Sequence, residues 1–196
     1  MATKEIELQR YIRIIPDWPK KGILFRDITP LLAEPKAFAA AIDALCAGFT
    51  GAAPVRNSAT GVLIQKGEIP NVAGIEYVAA VEARGFIFGA SVAEKLGAGF
   101  VPIRKKGKLP FKTESITYDL EYGTDTLEVH SDAIDKGAKV LMVDDLLATG
   151  GTMAAACKLI EKIGGQIAGI TFLIELSELD GRSKLSGYKI NTCLSY

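Results

Sequence analysis

The segment VLMVDDLLATGGTMAAA, residues 140–156, decides the fold. Its apolar start predicts a buried strand over residues 140–143 that runs directly into two adjacent carboxylates. A short loop over residues 146–151 follows, and a helix is predicted to begin at Thr152. This order is typical of an α/β protein whose ligand binds beyond the carboxyl end of a strand.

The loop of this segment predicts an anion site. The backbone N–H groups of residues 148–152, Ala148 to Thr152, are expected to point into one concave loop at a helix N-terminus, where the helix dipole also attracts anions. Gly150 and Gly151 allow the backbone to close tightly on a phosphate, and Thr149 adds a hydroxyl donor. The sequence contains no GxxxxGK[ST] motif, which argues against a nucleotide-triphosphate motor.

The two carboxylates, Asp144 and Asp145, indicate what the phosphate is attached to. Alone they would repel an anion, but carboxylates accept hydrogen bonds from ribose hydroxyls. The segment is therefore interpreted as a site for ribose 5-phosphate. The alternative is an ordinary strand–turn–helix with an acid pair at the surface.

Strands alternate with helices over much of the chain, which predicts a mostly parallel sheet covered on both faces. Strands are predicted at residues 77–81, 100–103, 115–122, 126–130, 139–143 and 167–176, with a final edge strand at 189–194. Helices are predicted at residues 4–15, 35–49, 86–96 and 152–163.

Two stretches fall outside this alternation of strands and helices. Residues 105–117 begin with a basic run around Gly107 and Pro110 and are predicted to form a mobile loop. Residues 50–74 are long for a connection in a compact domain and are predicted to form an excursion or an extra hairpin.

Composition excludes several function classes. Lys+Arg and Asp+Glu both number 23, so the basic excess of a nucleic-acid binder is absent overall. The cysteines, Cys46, Cys157 and Cys193, are odd in number and form no CxxC, which favours buried free thiols in a reducing cytoplasm. The charged start lacks the apolar run of a signal peptide, and no run is long enough to span a bilayer, so no membrane association is expected.

The acid pair and the loop after it resemble the phosphoribosyl pyrophosphate signature of type I phosphoribosyltransferases. Further stretches resemble the adenine phosphoribosyltransferase family and occur in the family order. They are FRDITPLL at 25–32, VEARGFIFGASVAEKLG at 81–97 with VPIRKKGKLP at 101–110, and YDLEYG at 118–123. The resemblance covers about residues 14–176, and the stretch at 50–74 is longer than the family usually has.

This resemblance implies the type I phosphoribosyltransferase fold. Residues 1–196 would form a single domain, with a small N-terminal hood over about residues 1–34. The expected reaction joins adenine to the ribose of phosphoribosyl pyrophosphate, giving AMP and pyrophosphate in purine salvage. A homodimer is expected, and the segment at 15–19 and the region at 84–88 are plausible interface regions.

The resemblance also implies roles for particular residues. Leu24, Phe25 and Arg26 would bind adenine. Pyrophosphate would be bound by Glu82, Ala83, Arg84, Arg104, Lys105 and Lys108, with a non-proline cis peptide between Glu82 and Ala83. Taken without the resemblance, the basic run could equally be a solvated loop, and Phe25 a core residue.

Glu121 and Arg84 are the candidate catalytic residues, and Tyr122 belongs to the adjoining loop. A carboxylate near the purine could manage a ring proton as N9 attacks. Mg²⁺ is expected to be bound through the substrate, because it often binds through phosphates with few protein ligands. No side-chain metal cluster is evident from the sequence.

Two alternatives remain open at this stage. The first is a phosphoribosyltransferase for hypoxanthine, guanine, xanthine or orotate, which would share the sugar site. The second is a non-catalytic regulator with the same fold, which would need a basic face or an added DNA-binding domain. The zero net charge and the short stretch before Pro19 argue against the regulator.

Overall fold

The computed structural model describes residues 6–49, 74–119 and 123–196. The predicted excursion at 50–74 lies outside these residues except for Gly74. Glu121 and Tyr122 also lie outside them.

A seven-stranded sheet forms the centre of the molecule, in the order β5-β6-β4-β3-β7-β8-β9. Strands β4, β3, β7, β8 and β9 are parallel to one another, and β5 and β6 form an antiparallel hairpin at one edge of the sheet. This confirms the predicted mostly parallel sheet. The strands are β3 (Tyr77–Val81), β4 (Gly99–Lys105), β5 (Thr113–Asp119), β6 (Thr124–His130), β7 (Lys139–Leu147), β8 (Gln166–Glu175) and β9 (Ile190–Ser195).

Helices cover both faces of this sheet. One apolar core lies under α2 (Pro35–Cys46) and α3 (Arg84–Leu96), and a second core lies under α4 (Gly151–Lys162). Helix α3 ends at Gly97, which has a φ of 65° and so suits glycine. The three cysteines are buried and unpaired, as predicted. Within the described residues, no helix is long and apolar enough to cross a membrane.

Strand β7 is longer than the sequence predicted, and this moves the acid pair. Asp144 and Asp145 lie inside the strand rather than after it, because β7 stays paired with β8 as far as Leu147 and Glu175. The loop before α4 is correspondingly shorter and covers residues 148–150. The carboxylates are therefore held by the sheet itself.

The predicted N-terminal helix over residues 4–15 is wrong. The described part forms a 3₁₀ turn at Leu8–Tyr11 and a strand, β1 (Arg13–Pro16), which pairs antiparallel with β2 (Leu24–Asp27). The β-branched side chains of this stretch favour a strand over a helix. Helix α1 (Thr29–Ala33) follows β2 directly.

The predicted loop over residues 105–117 is also shorter in the structure. Residue Lys105 still belongs to β4, and residues 113–117 belong to β5, where Thr113 pairs with His130. Only residues 106–112 connect the two strands. Side chains of β5 alternate between half-buried and exposed, which is the pattern of an edge strand with one covered face.

Candidate active site

The carboxyl ends of β3 and β7 open into one cavity of about 260 Å³. The predicted loop forms one wall of it, and we call residues 148–152 the cradle. The segment of residues 82–84 and the acid pair line the same cavity. Ligands of parallel α/β sheets bind at this position, and the structure brings the predicted phosphate and ribose residues together with Glu82, Ala83 and Arg84 of the predicted pyrophosphate set.

The backbone of the cradle is tightly enclosed. Gly150 has a φ of 76° and is the N-cap of α4, and no side chain caps the first turn of this helix. A Cβ atom on Gly150 would lie 2.3 Å from the carbonyl oxygen of Gly181, so only glycine fits there. Without a capping side chain, the first amides of α4 remain available to an anion.

The two aspartates lie in an environment that disfavours their charge. Asp145 is 5% exposed. Burial raises the pKa of Asp144 well above its ordinary value, and the neighbouring Asp145 carboxylate raises it further. Burial also raises the pKa of Asp145, although Arg84 acts in the opposite direction. Carboxylates with perturbed pKa values that line a cavity are a feature of functional sites.

Arg84 is the cation that faces this pair. It begins α3, and its Nη2 atom lies 2.9 Å from Oδ2 of Asp145. That oxygen is buried and makes an ion pair but no hydrogen bond within the described residues. Asp145 therefore retains an acceptor that a hydroxyl or a metal-bound water could use.

The segment before Arg84 turns sharply into the cavity. The peptide bond between Glu82 and Ala83 is cis, as the resemblance implied. Gly85, the next residue after Arg84, leaves no room for a side chain, because its Cβ would lie 2.7 Å from Oδ1 of Asp144.

Glu82 holds the basic run of the predicted loop. Its carboxylate accepts hydrogen bonds from Nζ of Lys108 at 2.8 Å, from the backbone N of Lys105 at 2.6 Å and from Arg104 at 3.4 Å. Burial alone would raise the pKa of Glu82, but these bonds together lower it. Predicted pyrophosphate cations thus lie beside the cavity, paired with a carboxylate.

Two further acids, which were not predicted from the sequence, hold the same basic run. Glu128, 8% exposed, accepts a hydrogen bond from the backbone N of Gly107 at 2.9 Å. Asp125 lies 3.1 Å from Nζ of Lys105. Both acids are on β6, where a spacing of three residues places them on opposite faces of the strand, so no single pattern in the sequence indicated the pair.

The predicted adenine-binding residues lie on β2, and Phe25 is next to Arg84 of the cavity lining. The ring of Phe25 lies under the guanidinium of Arg84, 5.4 Å from Cζ to the ring centroid, and contacts Trp18 edge to face at 4.3 Å. Arg26 lies over the ring of Tyr196 at 4.2 Å. Leu24 is 53% exposed. No pattern in the sequence indicated Tyr196, because the contact joins residues far apart in the chain.

The β5–β6 hairpin reaches the cradle from the other side. The hydroxyl of Tyr118 lies 3.2 Å from Oγ1 of Thr152, and the carbonyl of Asp119 lies 3.9 Å from the Cβ position of Gly151. The candidate base Glu121 follows two residues later, outside the described residues. Within the described residues, no group of three or more acidic, histidine or cysteine side chains could hold a metal ion.

Comparison with known proteins agrees with this geometry. Residues 69–192 match the family profile described as Phosphoribosyl transferase domain. The chain is 49% identical to the adenine phosphoribosyltransferase of Pseudothermotoga lettingae over 97% of its own length and 100% of that protein. It is 53% identical to the enzyme of that name from Maridesulfovibrio salexigens, over 93% and 95% of the two chains.

This chain belongs to the adenine phosphoribosyltransferase family. The crystal structure of the family member from Thermoanaerobacter pseudethanolicus has a TM-score of 0.82 at 49% identity, covering 96% of this chain and 98% of that one. The member from Saccharomyces cerevisiae, solved with adenine and an imino-altritol bisphosphate, has a TM-score of 0.80 at 37% identity, covering 95% and 96%. The predicted type I phosphoribosyltransferase fold and the assignment as a transferase enzyme are thereby confirmed.

Proposed function

We propose that the chain carries out the reaction of its family in the cavity at the ends of β3 and β7. It transfers the 5-phosphoribosyl group of phosphoribosyl pyrophosphate to adenine, forming AMP and pyrophosphate in purine salvage. The observation that carries this proposal is the convergence of the cradle, the acid pair and Arg84 on one cavity.

Backbone amides bind the phosphate of the substrate, and carboxylates bind its ribose. The amides of Ala148, Thr149, Gly150, Gly151 and Thr152 bind the 5-phosphate at the start of α4. Asp144 and Asp145 accept hydrogen bonds from the ribose hydroxyls, and their place in the cavity lining supports this role. Because β7 holds both aspartates, they fix the ribose ring relative to the phosphate with little reorganisation.

Departure of pyrophosphate is assisted by positive charge. Arg84, Arg104, Lys105 and Lys108 face the leaving group, together with backbone groups of Glu82 and Ala83, and stabilise the charge that develops on it. A magnesium ion held mainly by substrate oxygens would fit this site, because Asp144 and Asp145 line the cavity and could accept from its bound water. Such an ion would neutralise pyrophosphate charge when bound.

The base attacks from the side of β2. Positive charge builds on the ribose ring as pyrophosphate leaves, as in glycoside chemistry, and adenine N9 attacks C1′. Phe25 supports a flat base, and main-chain groups of Leu24 to Arg26 meet its edge. Glu121 accepts the ring proton as N9 attacks. Residues 106–112 and Tyr122 then exclude water during transfer.

A base panel tests the proposal. The full chain is mixed with phosphoribosyl pyrophosphate, Mg²⁺ and one base, and pyrophosphate release is measured for adenine, hypoxanthine, guanine, xanthine and orotate. Adenine should exceed each of the others by roughly 100-fold in kcat/KM, because a site built for one base edge leaves polar groups unpaired with another. Preference for another base would refute the adenine assignment, and no release from any base would favour the regulator.

We also propose a homodimer in the cytoplasm. Apolar side chains are exposed at Ile14 (52%), Trp18 (51%) and Ile87 (40%), within or beside the two segments named from the sequence. Buried, unpaired thiols support a reducing compartment. Sedimentation analysis of the wild type should give twice the chain mass, and Trp18→Ala should shift the species toward monomer.

A further inference from the structure

The lining of the cavity carries little positive charge to balance a phosphate bound in the cradle. The charged residues that line the cavity are Glu82, Asp144, Asp145 and the single cation Arg84. Arg84 is paired with Asp145, and the proposed function assigns it to pyrophosphate. A phosphate monoester carries a charge of about −2 near neutral pH. The lining therefore holds no cation that belongs to the 5-phosphate.

A cation from outside the lining reaches this position. Lys184 lies in the 3₁₀ segment Gly181–Leu185, near the C-terminus. Its Nζ atom lies 4.0 Å from the position that a Cβ atom would take on Gly151, the first residue of α4. The side chain is exposed and, within the described residues, makes no ion pair or hydrogen bond.

The segment that carries Lys184 is built against the cradle. A Cβ atom on Gly181 would lie 2.2 Å from the carbonyl oxygen of Ala148 and 3.1 Å from the backbone N of Gly150. The two backbones are therefore in direct contact. Leu185 is fully buried in the core under α4, which fixes the other end of the segment.

A charged pair anchors the segment between these points. Arg182 donates to both carboxylate oxygens of Glu175, at 2.6 and 2.8 Å, and also to Thr192. Glu175 is paired in register with Leu147, the last residue of β7 before the cradle. The bonds from Arg182 lower the pKa of Glu175, so the pair stays charged at neutral pH. Lys184 is thus held beside the cradle with its amine free.

We infer that Lys184 is a further binding residue for the 5-phosphate of the substrate and product. The inference rests on the proposed function, which places that phosphate in the cradle. Lys184 adds a charge-assisted hydrogen bond to the neutral backbone donors. It completes the site from a segment close to the C-terminus, so the end of the chain takes part in binding the sugar phosphate.

The test compares ligands with and without a phosphate. Binding of AMP and of adenosine to the full chain is measured by calorimetry for the wild type, Lys184→Gln, Lys184→Arg and Lys158→Gln. Lys158 is an exposed lysine of α4 with no partner within the described residues, so its loss changes the net charge equally away from the cradle.

Lys184→Gln should weaken AMP binding roughly tenfold and leave adenosine binding unchanged. Lys184→Arg should retain most of the affinity, and Lys158→Gln should match the wild type. The KM for phosphoribosyl pyrophosphate should rise in Lys184→Gln by a similar factor. AMP affinity in Lys184→Gln equal to that in Lys158→Gln would overturn the inference, and so would an equal loss for AMP and adenosine. Absence of AMP formation by the wild type would instead count against the proposed function.

Discussion

The guanidinium of Arg84 lies 2.9 Å from the carboxylate of Asp145. The same guanidinium lies over the ring of Phe25. One side chain therefore contacts the proposed ribose site and the proposed base site, and its own segment lines the proposed pyrophosphate site. Substitution of Asp145 should consequently affect the reaction without loss of the fold.

Asp145→Asn should lower kcat by roughly 100-fold or more, because the amide cannot balance the developing positive charge on the ribose ring as a carboxylate does. Steady-state kinetics with adenine and phosphoribosyl pyrophosphate measure the effect. Asp132→Asn, at an exposed turn residue, serves as the matched control and should retain wild-type turnover. Wild-type activity in Asp145→Asn would contradict the ribose assignment.

The same substitution should stabilise the fold at neutral pH. Burial raises the pKa of Asp145 above its ordinary value of 3.8, so the folded state disfavours the charged carboxylate. The penalty is fully present above the raised pKa and disappears below 3.8, where the group is protonated in both states. Urea unfolding of Asp145→Asn and wild type should show a difference at pH 7 that shrinks as the pH falls toward 4. A variant less stable than wild type at pH 7 would show that the Arg84 ion pair outweighs burial.

Gly150→Ala should be more damaging than Gly187→Ala. Both positions have a positive φ, 76° and 97°, so both substitutions place alanine in a left-handed conformation. Only at Gly150 would the new Cβ also meet a backbone oxygen, at 2.3 Å, whereas nothing lies within 4 Å at Gly187. The additional cost should be about 1–3 kcal/mol in the free energy of unfolding.

Binding separates the same two variants. AMP affinity should fall in Gly150→Ala, since the cradle must shift, and remain unchanged in Gly187→Ala. Equal effects of the two substitutions on stability and on AMP binding would mean that the cradle is not closely packed.

Glu82→Gln should raise the KM for phosphoribosyl pyrophosphate several-fold. The carboxylate accepts from Lys105 and Lys108, so its loss frees the basic run from the position beside the cavity. The KM for adenine should not change. Glu114→Gln, which removes an exposed ion pair with Lys162, is the control. A lower KM for phosphoribosyl pyrophosphate in Glu82→Gln would show that the carboxylate competes with pyrophosphate.

Tyr196→Ala should raise the KM for adenine by a few-fold, because the aromatic ring that supports Arg26 is lost and such a contact contributes about 0.5–1 kcal/mol. Tyr196→Phe keeps the ring and should behave as wild type. The KM for phosphoribosyl pyrophosphate should be unchanged in both variants. An unchanged KM for adenine in Tyr196→Ala would mean that Arg26 does not take part in base binding.

Local pattern predicted the parts of the fold that depend on neighbouring residues. The apolar runs gave β3 and β8 to within one residue, and Gly97 gave the end of α3. The loop with its glycines was also visible, because strand, turn and helix signals follow one another within a short segment.

Pattern failed where pairing with a distant strand decided the outcome. Residues 4–15 have a rough helical spacing of apolar side chains, but residues 13–16 form β1, since β2 offers a partner strand. Strand β7 extends through Asp144 and Asp145 because β8 continues beside it, although two acids normally mark the end of a strand. A single sequence does not show which segments will lie side by side.

The residues of the candidate site divide in the same way, into those that local pattern predicted and those that only the folded structure shows. Residues of the cradle and Arg84 lie in contiguous motifs and were predicted. The acids that hold the basic run, Glu128 and Asp125, and the C-terminal contacts of Lys184 and Tyr196 were not, because each joins residues far apart in the chain. These contacts became visible only from the folded structure.

A crystal structure of the full chain with AMP is the decisive measurement. The phosphate should lie within hydrogen-bond distance of the amides of residues 148–152, with the ribose hydroxyls on Asp144 and Asp145. Density for the phosphate against the basic run, or anywhere away from Thr149, would show that the cradle is not the phosphate site.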